Sequence, residues 1–321
     1  MTRFVLRAVT PLACGLSCAL ALALALAACG GGGGSDSTAK DLLEQTFAKT
    51  ASDLKSGRLV VDAKLEPEGV LALGGPITLK VSGQFSGVQT ARLPRFDLDA
   101  EARIAGRRLP AGAISDGKRA FLELDGDHYA VDRRILGKLR SRTGAAGIAS
   151  LGIDPRRWIT DAREQGSERL GGIDTVRIAG AVDVPALLAD LHTGAGGAGG
   201  GPPAPKQRSA QQRKRIAEAV KSARVQLWSG KQDKILRQLL VRLEFDFPPG
   251  SEPPITGLDE GKIELRARID DVNAARVKPS APARSRPLSK LRDSGVAGLV
   301  RCLAEAIGEG KSVAPCAADL L

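Results

Sequence analysis

The sequence predicts an α+β fold: one long antiparallel sheet, apolar on one face and wet on the other, with a few short helices to cover it. Three observations predict this. Apolar residues recur with a period of two through most of the chain after Gly57, glycine-containing turns punctuate the runs, and helical spacing is confined to an opening segment and a few short stretches.

Before the first element stands a segment of another kind. Arg3 and Arg7 precede an apolar stretch from Pro11 to Ala28, which ends at Cys29 and gives way to Gly30–Gly34, Ser35, Asp36 and Ser37. The stretch is at the lower limit of the roughly 20 residues that a membrane span needs. Its basic start, apolar centre and small-residue end are the layout of a secretory signal peptide, residues 1–28. Leu26-Ala27-Ala28-Cys29-Gly30 resembles a bacterial lipobox, which implies cleavage before Cys29 and acylation of its thiol. Residues 29–37 then read as a flexible Gly/Ser tether.

From Thr38 to about Leu54, Leu42, Leu43, Phe47 and Leu54 follow a helical spacing, with Thr38 and Asp41 placed as an N-terminal capping pair. After Gly57 the period changes to two. Leu59, Val61, Ala63 and Leu65 alternate with other partners, then Ile77, Leu79, Val81 and Phe85, then Phe96, Leu98, Ala100, Ala102 and Ile104. Such runs are half-buried antiparallel strands. Asp116-Gly117 and Asp125-Gly126 flank Ala120-Phe121-Leu122 and suit type I′ hairpin turns, so a meander is expected.

Helical spacing returns from Asp132 to about Asp161, with Ile135, Leu136 and Leu139 and a second start at Asp154-Pro155. Strands resume at Ser167–Leu170 and Asp174–Val182 across Gly171-Gly172, followed by a short helix over 185–191. Thr193–Pro205 is nearly all glycine, alanine and proline and reads as a loop. Lys206–Arg224 is strongly basic with a thin stripe of Ile216 and Val220; a solvated helix fits it better than a membrane-facing one. Three further strands carry Val225 and Leu227; Ile235, Leu239, Val241, Leu243, Phe245 and Phe247; and Ile263, Leu265, Ala267 and Ile269. The total is nine or ten strands. A sheet with one apolar face must be covered, and helices that cover it can also leave room for a ligand.

Composition narrows the function classes. The net charge of +11 becomes +9 when Arg3 and Arg7 leave with the signal segment, which favours anionic lipid or cell-wall polymer as a neighbour. One tyrosine and two tryptophans offer few platforms for stacking bases, so no nucleic-acid partner is expected. Cys14 and Cys18 belong to the signal segment, which leaves Cys302 and Cys316 as an even pair, expected as a disulfide in an oxidising compartment, the alternative being two free thiols on a C-terminal tail. His128 and His192 lack partners at metal-ligand spacing. Ser-x-x-Lys occurs at Ser37, Ser52 and Ser115 without the companion motifs of penicillin-binding enzymes. No enzyme, metal or cofactor is expected.

The chain from about Lys40 to Leu291 resembles the LppX/LprG-type lipoproteins, relatives of the LolA-like carriers. The resemblance lies in Ile114-Ser115-Asp116-Gly117-Lys118 with Tyr129-Ala130-Val131-Asp132, in Gly166–Thr175 leading into Gly180-Ala181-Val182-Asp183, and in Lys234–Phe247. It implies an open half-barrel over 38–291, with helices on its concave face, and a Gly/Pro-rich insertion at 193–205 and a cysteine-bearing tail at 292–321 as departures. It also implies a protein on the outer face of the plasma membrane that holds acyl chains of a lipid, glycolipid or lipoglycan, with an envelope transporter as a further partner. Alternation assigns Leu59, Val61, Ile77, Leu79, Val81, Phe85, Phe96, Leu98, Leu239, Val241 and Leu243 to one face, the expected cavity wall. The alternative is a structural or partner-binding lipoprotein in which the same residues form a dry core.

Overall fold

The computed structural model describes residues 36–68, 76–88, 93–104, 107–124, 126–133, 136, 155–187, 218–248, 260–288 and 290. The signal segment with Cys29, residues 137–154, His192, the 193–205 insertion, the basic run 206–217 and the tail with Cys302 and Cys316 lie outside them.

Helix α1 spans Asp36–Asp53. It starts two residues before Thr38, so Thr38 and Asp41 sit inside the helix and do not cap it. Ala39, Leu42, Leu43 and Thr46 are buried at spacings of three and four, while Lys40, Asp41, Glu44 and Gln45 are exposed. The strands are β1 (Ser56–Glu68), β2 (Ile77–Ser86), β3 (Arg95–Ile104), β4 (Arg107–Asp116), β5 (Ala120–Leu124), β6 (Asp127–Ala130), β7 (Ile159–Leu170), β8 (Ile173–Val182), β9 (Val220–Gly230), β10 (Leu236–Asp246), β11 (Glu260–Asp270) and β12 (Arg286–Pro287). They form one curved, unclosed sheet in the order β12-β6-β5-β4-β3-β2-β1-β11-β10-β9-β8-β7. Every pairing is antiparallel except that of β12 with β6.

Two meanders therefore meet in the middle. One runs outward from β1 to β6; the other starts at the far edge with β7 and returns to pair β11 with β1, Arg58 opposite Asp270.

Several elements depart from expectation for local reasons. Strand β4 is additional: its Leu-Pro-Ala-Gly-Ala stretch alternates only weakly, and Pro110 pairs with Glu101 of β3 just beyond the end of the β5 ladder, where a missing amide donor is tolerated. Strand β7 begins at Ile159, where a helix was expected, because Pro155–Arg157 forms a single 3-10 turn. Register shifts near Asp161 and Gly166, both at positive φ, break its alternation. Strand β9 takes in Val220, assigned above to a helical stripe.

The β7–β8 turn has positive φ at both Gly171 and Gly172, as a two-residue type I′ hairpin requires. The Asp116–Arg119 turn is different. Its only positive φ is at Gly117, the type II′ pattern, because the Asp116 carboxylate accepts the amides of Lys118 at 2.8 Å and Arg119 at 2.7 Å and stays extended itself.

Candidate ligand-binding face

Register links the apolar residues into rows that cross the sheet. One runs Ile178–Leu227–Leu239–Ala267–Val61–Val81–Ala100–Ala111–Leu124, from β8 to β5. The next runs Gly180–Val225–Val241–Leu265–Ala63–Leu79–Ala102–Leu109, and a third Ala223–Leu243–Ile263–Leu65–Ile77. Leu59 opposite Gly83, Gly83 opposite Leu98, and Phe85 opposite Phe96 continue the same face. All eleven expected wall residues thus share one face. Sequence reading left out Ala63, Leu65 and the apolar residues of β4 and β11, although β11 alternates as plainly as its neighbours.

Burial changes along each row. On β8–β10, Ile178 is 1% exposed, Leu227 0%, Val225 2% and Val241 4%. They form one core with Leu42 and Leu43 of α1 and with Trp158. Beyond β10 the rows continue through half-buried Leu265, Ala267, Val61, Ala63, Val81, Leu98, Ala100 and Ala111, and reach 37% exposure at Ile263 and 41% at Leu79. Leu239, Val241 and Leu243 therefore belong to the packed half or its border, whereas the residues of β1, β2 and β3 line the half-open one. Many side chains there are small: Ala63, Ala267, Ala100, Ala102, Ala111 and Ala113 cover less of the sheet than leucines would, whereas at Gly83 the backbone of Asp97 and Leu98 leaves no room for a side chain.

The face is closed at one end. Phe85 and Leu59 pack against Leu54, Ile235 and Ile269, and Leu93, Ala120 and Leu136 form a neighbouring cluster. Asn273, at φ 61°, ties this end together: its Oδ1 accepts the Lys55 amide at 2.7 Å, its Nδ2 donates to Asp53 O at 2.9 Å and its own amide donates to Ser56 O at 2.8 Å. The opposite end, where Leu65, Ile77, Leu79 and Ile263 lie, is the rim.

Helix α1 is seated on the packed half by polar contacts. Thr46, fully buried, lies 2.7 Å from Ser229 Oγ, and the Leu236 amide donates to Thr50 Oγ1 at 2.9 Å. Trp228 donates its indole N–H to Glu168, joining β9 to the edge strand β7 across β8.

On the other face of the sheet Trp228, Gln238 and Leu240 of β9 and β10 are buried, and much of the remainder is a lattice of opposite charges. Arg242 and Arg266 flank Glu264, Arg103 and Arg108 flank Glu101, Lys262 meets Glu68, and Lys221 lies between Asp246 and Glu260. Hydrogen bonds from Arg103 and Arg242 hold Glu101 and Glu264 below the usual carboxylate range, and Asp246 and Glu260 raise Lys221. Among the described residues no group of three His, Cys, Asp or Glu side chains could hold a metal ion, and no helix is long and apolar enough to cross a membrane. His128 pairs with Glu123 at 3.3 Å. Ser115 is fully buried, and its hydroxyl donates to Pro94 O at 2.6 Å, a turn-stabilising role.

No protein-family model and no curated protein matches the chain. Among solved structures it is similar to the lipoprotein LppX of Mycobacterium tuberculosis, at 14% identity and a TM-score of 0.38 over 76% of this chain and 99% of that one. It is similar to LprF of Mycobacterium bovis, at 14% identity and a TM-score of 0.39 over 77% and 97%. A LolA superfamily protein of Nitrosomonas europaea matches at 8% identity and a TM-score of 0.21 over 71% and 94%. The likeness spans most of each chain and is loose throughout.

Proposed function

We propose that this protein is a lipid-anchored lipoprotein of the bacterial cell envelope that holds acyl chains of a lipid, glycolipid or lipoglycan against the half-open apolar face, for transport or sensing. One observation carries the reading: the same registered rows are dry under α1 and half exposed beyond β10, where many of their side chains are alanines. A bound acyl chain would remove that surface from water. At about 0.8 kcal/mol per buried CH₂, a chain of about ten methylenes gains about 8 kcal/mol before the cost of association. Polar contacts are not needed for retention, and the protein does no covalent chemistry. Cys29 supplies the anchor, outside the plasma membrane, and an envelope transporter would be the partner that delivers or receives the lipid.

Mass spectrometry of organic extracts of the protein, purified from its own envelope, tests the proposal. Acyl lipid in near-stoichiometric amount is the expected result. Lipid-free protein would instead favour a structural lipoprotein.

A further inference from the structure

The C-terminal half of α1 is fixed at the closed end of the sheet. Thr46 and Thr50 meet Ser229 and Leu236, which pair where β9 ends and β10 begins, and Asp53 meets Asn273. The helix also touches the Pro155–Arg157 turn, which leads into Ile159 opposite Val182, at the rim end of β8. With the C-terminal half held at the closed end, that contact falls to the N-terminal half. Helix α1 thus runs from the rim to the closed end, with Asp36 at the rim end.

Six residues lie between Cys29 and Asp36, so seven Cα-to-Cα steps join them. Even fully extended they reach at most about 25 Å. A 10-residue strand such as β8 is itself roughly 33 Å long. An acyl group on Cys29 therefore restrains the rim near the bilayer more closely than the closed end. At the rim the exposed apolar residues are contiguous: Leu79 at 41% and Ile263 at 37% adjoin half-buried Leu65, Ile77 and Leu243 in the registered rows. Among the described residues, charges that share this end form pairs, Lys64 with Glu66, Lys262 with Glu68 and Lys221 with Asp246. The remaining large exposed apolar residue among those described, Ile173 at 47%, stands by itself beside the Gly171-Gly172 turn at the opposite end.

From this placement we infer that the rim is a membrane-docking edge: Leu79 and Ile263 enter the bilayer surface beside the anchor, and the half-open face meets the lipid through that end. The inference rests on the Cys29 anchor proposed above. Contact is apolar, so neutral lipid suffices and high salt does not release the edge.

The test uses the full acylated chain in phosphatidylcholine vesicles with and without brominated acyl chains, which quench nearby tryptophan. Trp158 and Trp228 are buried and set the baseline. Three variants are compared: Leu79→Trp at the rim on the apolar face, Lys262→Trp at the rim on the charged face, and Ile173→Trp at the far end. Strong quenching of the first two, and little of the third, is expected. Quenching at 79 with 262 no more quenched than 173 means that lipid has entered the face without docking of the rim; that overturns the inference and leaves the carrier reading standing. Equal quenching at all three sites, or none, overturns it as well. Protein that does not sediment with the vesicles overturns the anchor and the docking edge together.

Discussion

The two halves of this sheet are written in the same alternation and end in different states. On β8–β10 the inward residues are long or branched, Ile178, Leu227, Leu239 and Val241, and α1 lies over them. On β11 and β1–β4 the inward residues alternate just as strictly but include many alanines, and they are half exposed. Period two reports only that a strand has an apolar side. What decides whether that side is dry is side-chain volume and whether another element lies above it.

The largest effect that would break this contrast comes from truncation. Leu227→Ala should cost about 2–5 kcal/mol, because it opens a void in packed surroundings. Leu79→Ala, at 41% exposure, should stay within about 0.5 kcal/mol in the ligand-free protein. Urea unfolding midpoints of the two variants measure the difference, and equal costs would erase the distinction between the halves.

Enlargement sharpens it from the other side. Val241→Trp should overpack the core under α1 and cost about 1–3 kcal/mol. Val81→Trp and Leu98→Trp, on the half-open face, should keep near-normal stability and lose the co-purifying lipid. If both are strongly destabilised and the wild type carries no extractable lipid, the face is core and the structural reading replaces the carrier.

Asn273 belongs to both halves, since it holds the end of α1 and the start of β1. Asn273→Ala should lose about 1–2 kcal/mol through its orphaned backbone partners and its positive φ. Asn273→Gly should recover only the backbone part. Thermal melts of the pair separate the two contributions.

The smallest expected effect is one of pH. Burial works to raise the Asp116 carboxyl, but the amides of Lys118 and Arg119 and the Arg119 guanidinium outweigh it and hold the carboxyl below its ordinary value. A carboxylate depressed in the folded state stabilises the fold above its unfolded pKa and loses that contribution as pH falls through the folded value. Wild-type stability should therefore drop slightly more than that of Asp116→Asn as pH falls below about 4. Parallel pH curves would show that the turn carries no such linkage.

Much of this was legible in the residues. Leu59–Leu65, Ile77–Phe85, Phe96–Ile104 and Leu239–Phe247 announce their strands by parity, and Gly171-Gly172 announces its hairpin. Less legible were β4, where Pro110 and small residues blur the alternation, and β7, where shifts at Asp161 and Gly166 change the parity within one strand. The division of the face into packed and half-open parts was not legible locally, because it depends on contacts such as Thr46 with Ser229, 183 residues apart.

The joining of β1 to β11 bears on how the molecule is made. A chain that appears N-terminus first can complete the meander from β1 to β6 from neighbouring hairpins, yet one flank of β1 stays without its partner until residues 260–270 arrive. Closing a loop of some 200 residues carries an entropic cost of roughly 5 kcal/mol, which the first few pairs of that ladder cannot repay. The seam should therefore form late and all at once. In pulsed hydrogen exchange during refolding, the amides of β2 and β3 should gain protection before those of β11, and in the interval the unpaired flank of β1 is the place where a second newborn chain could add itself by mistake.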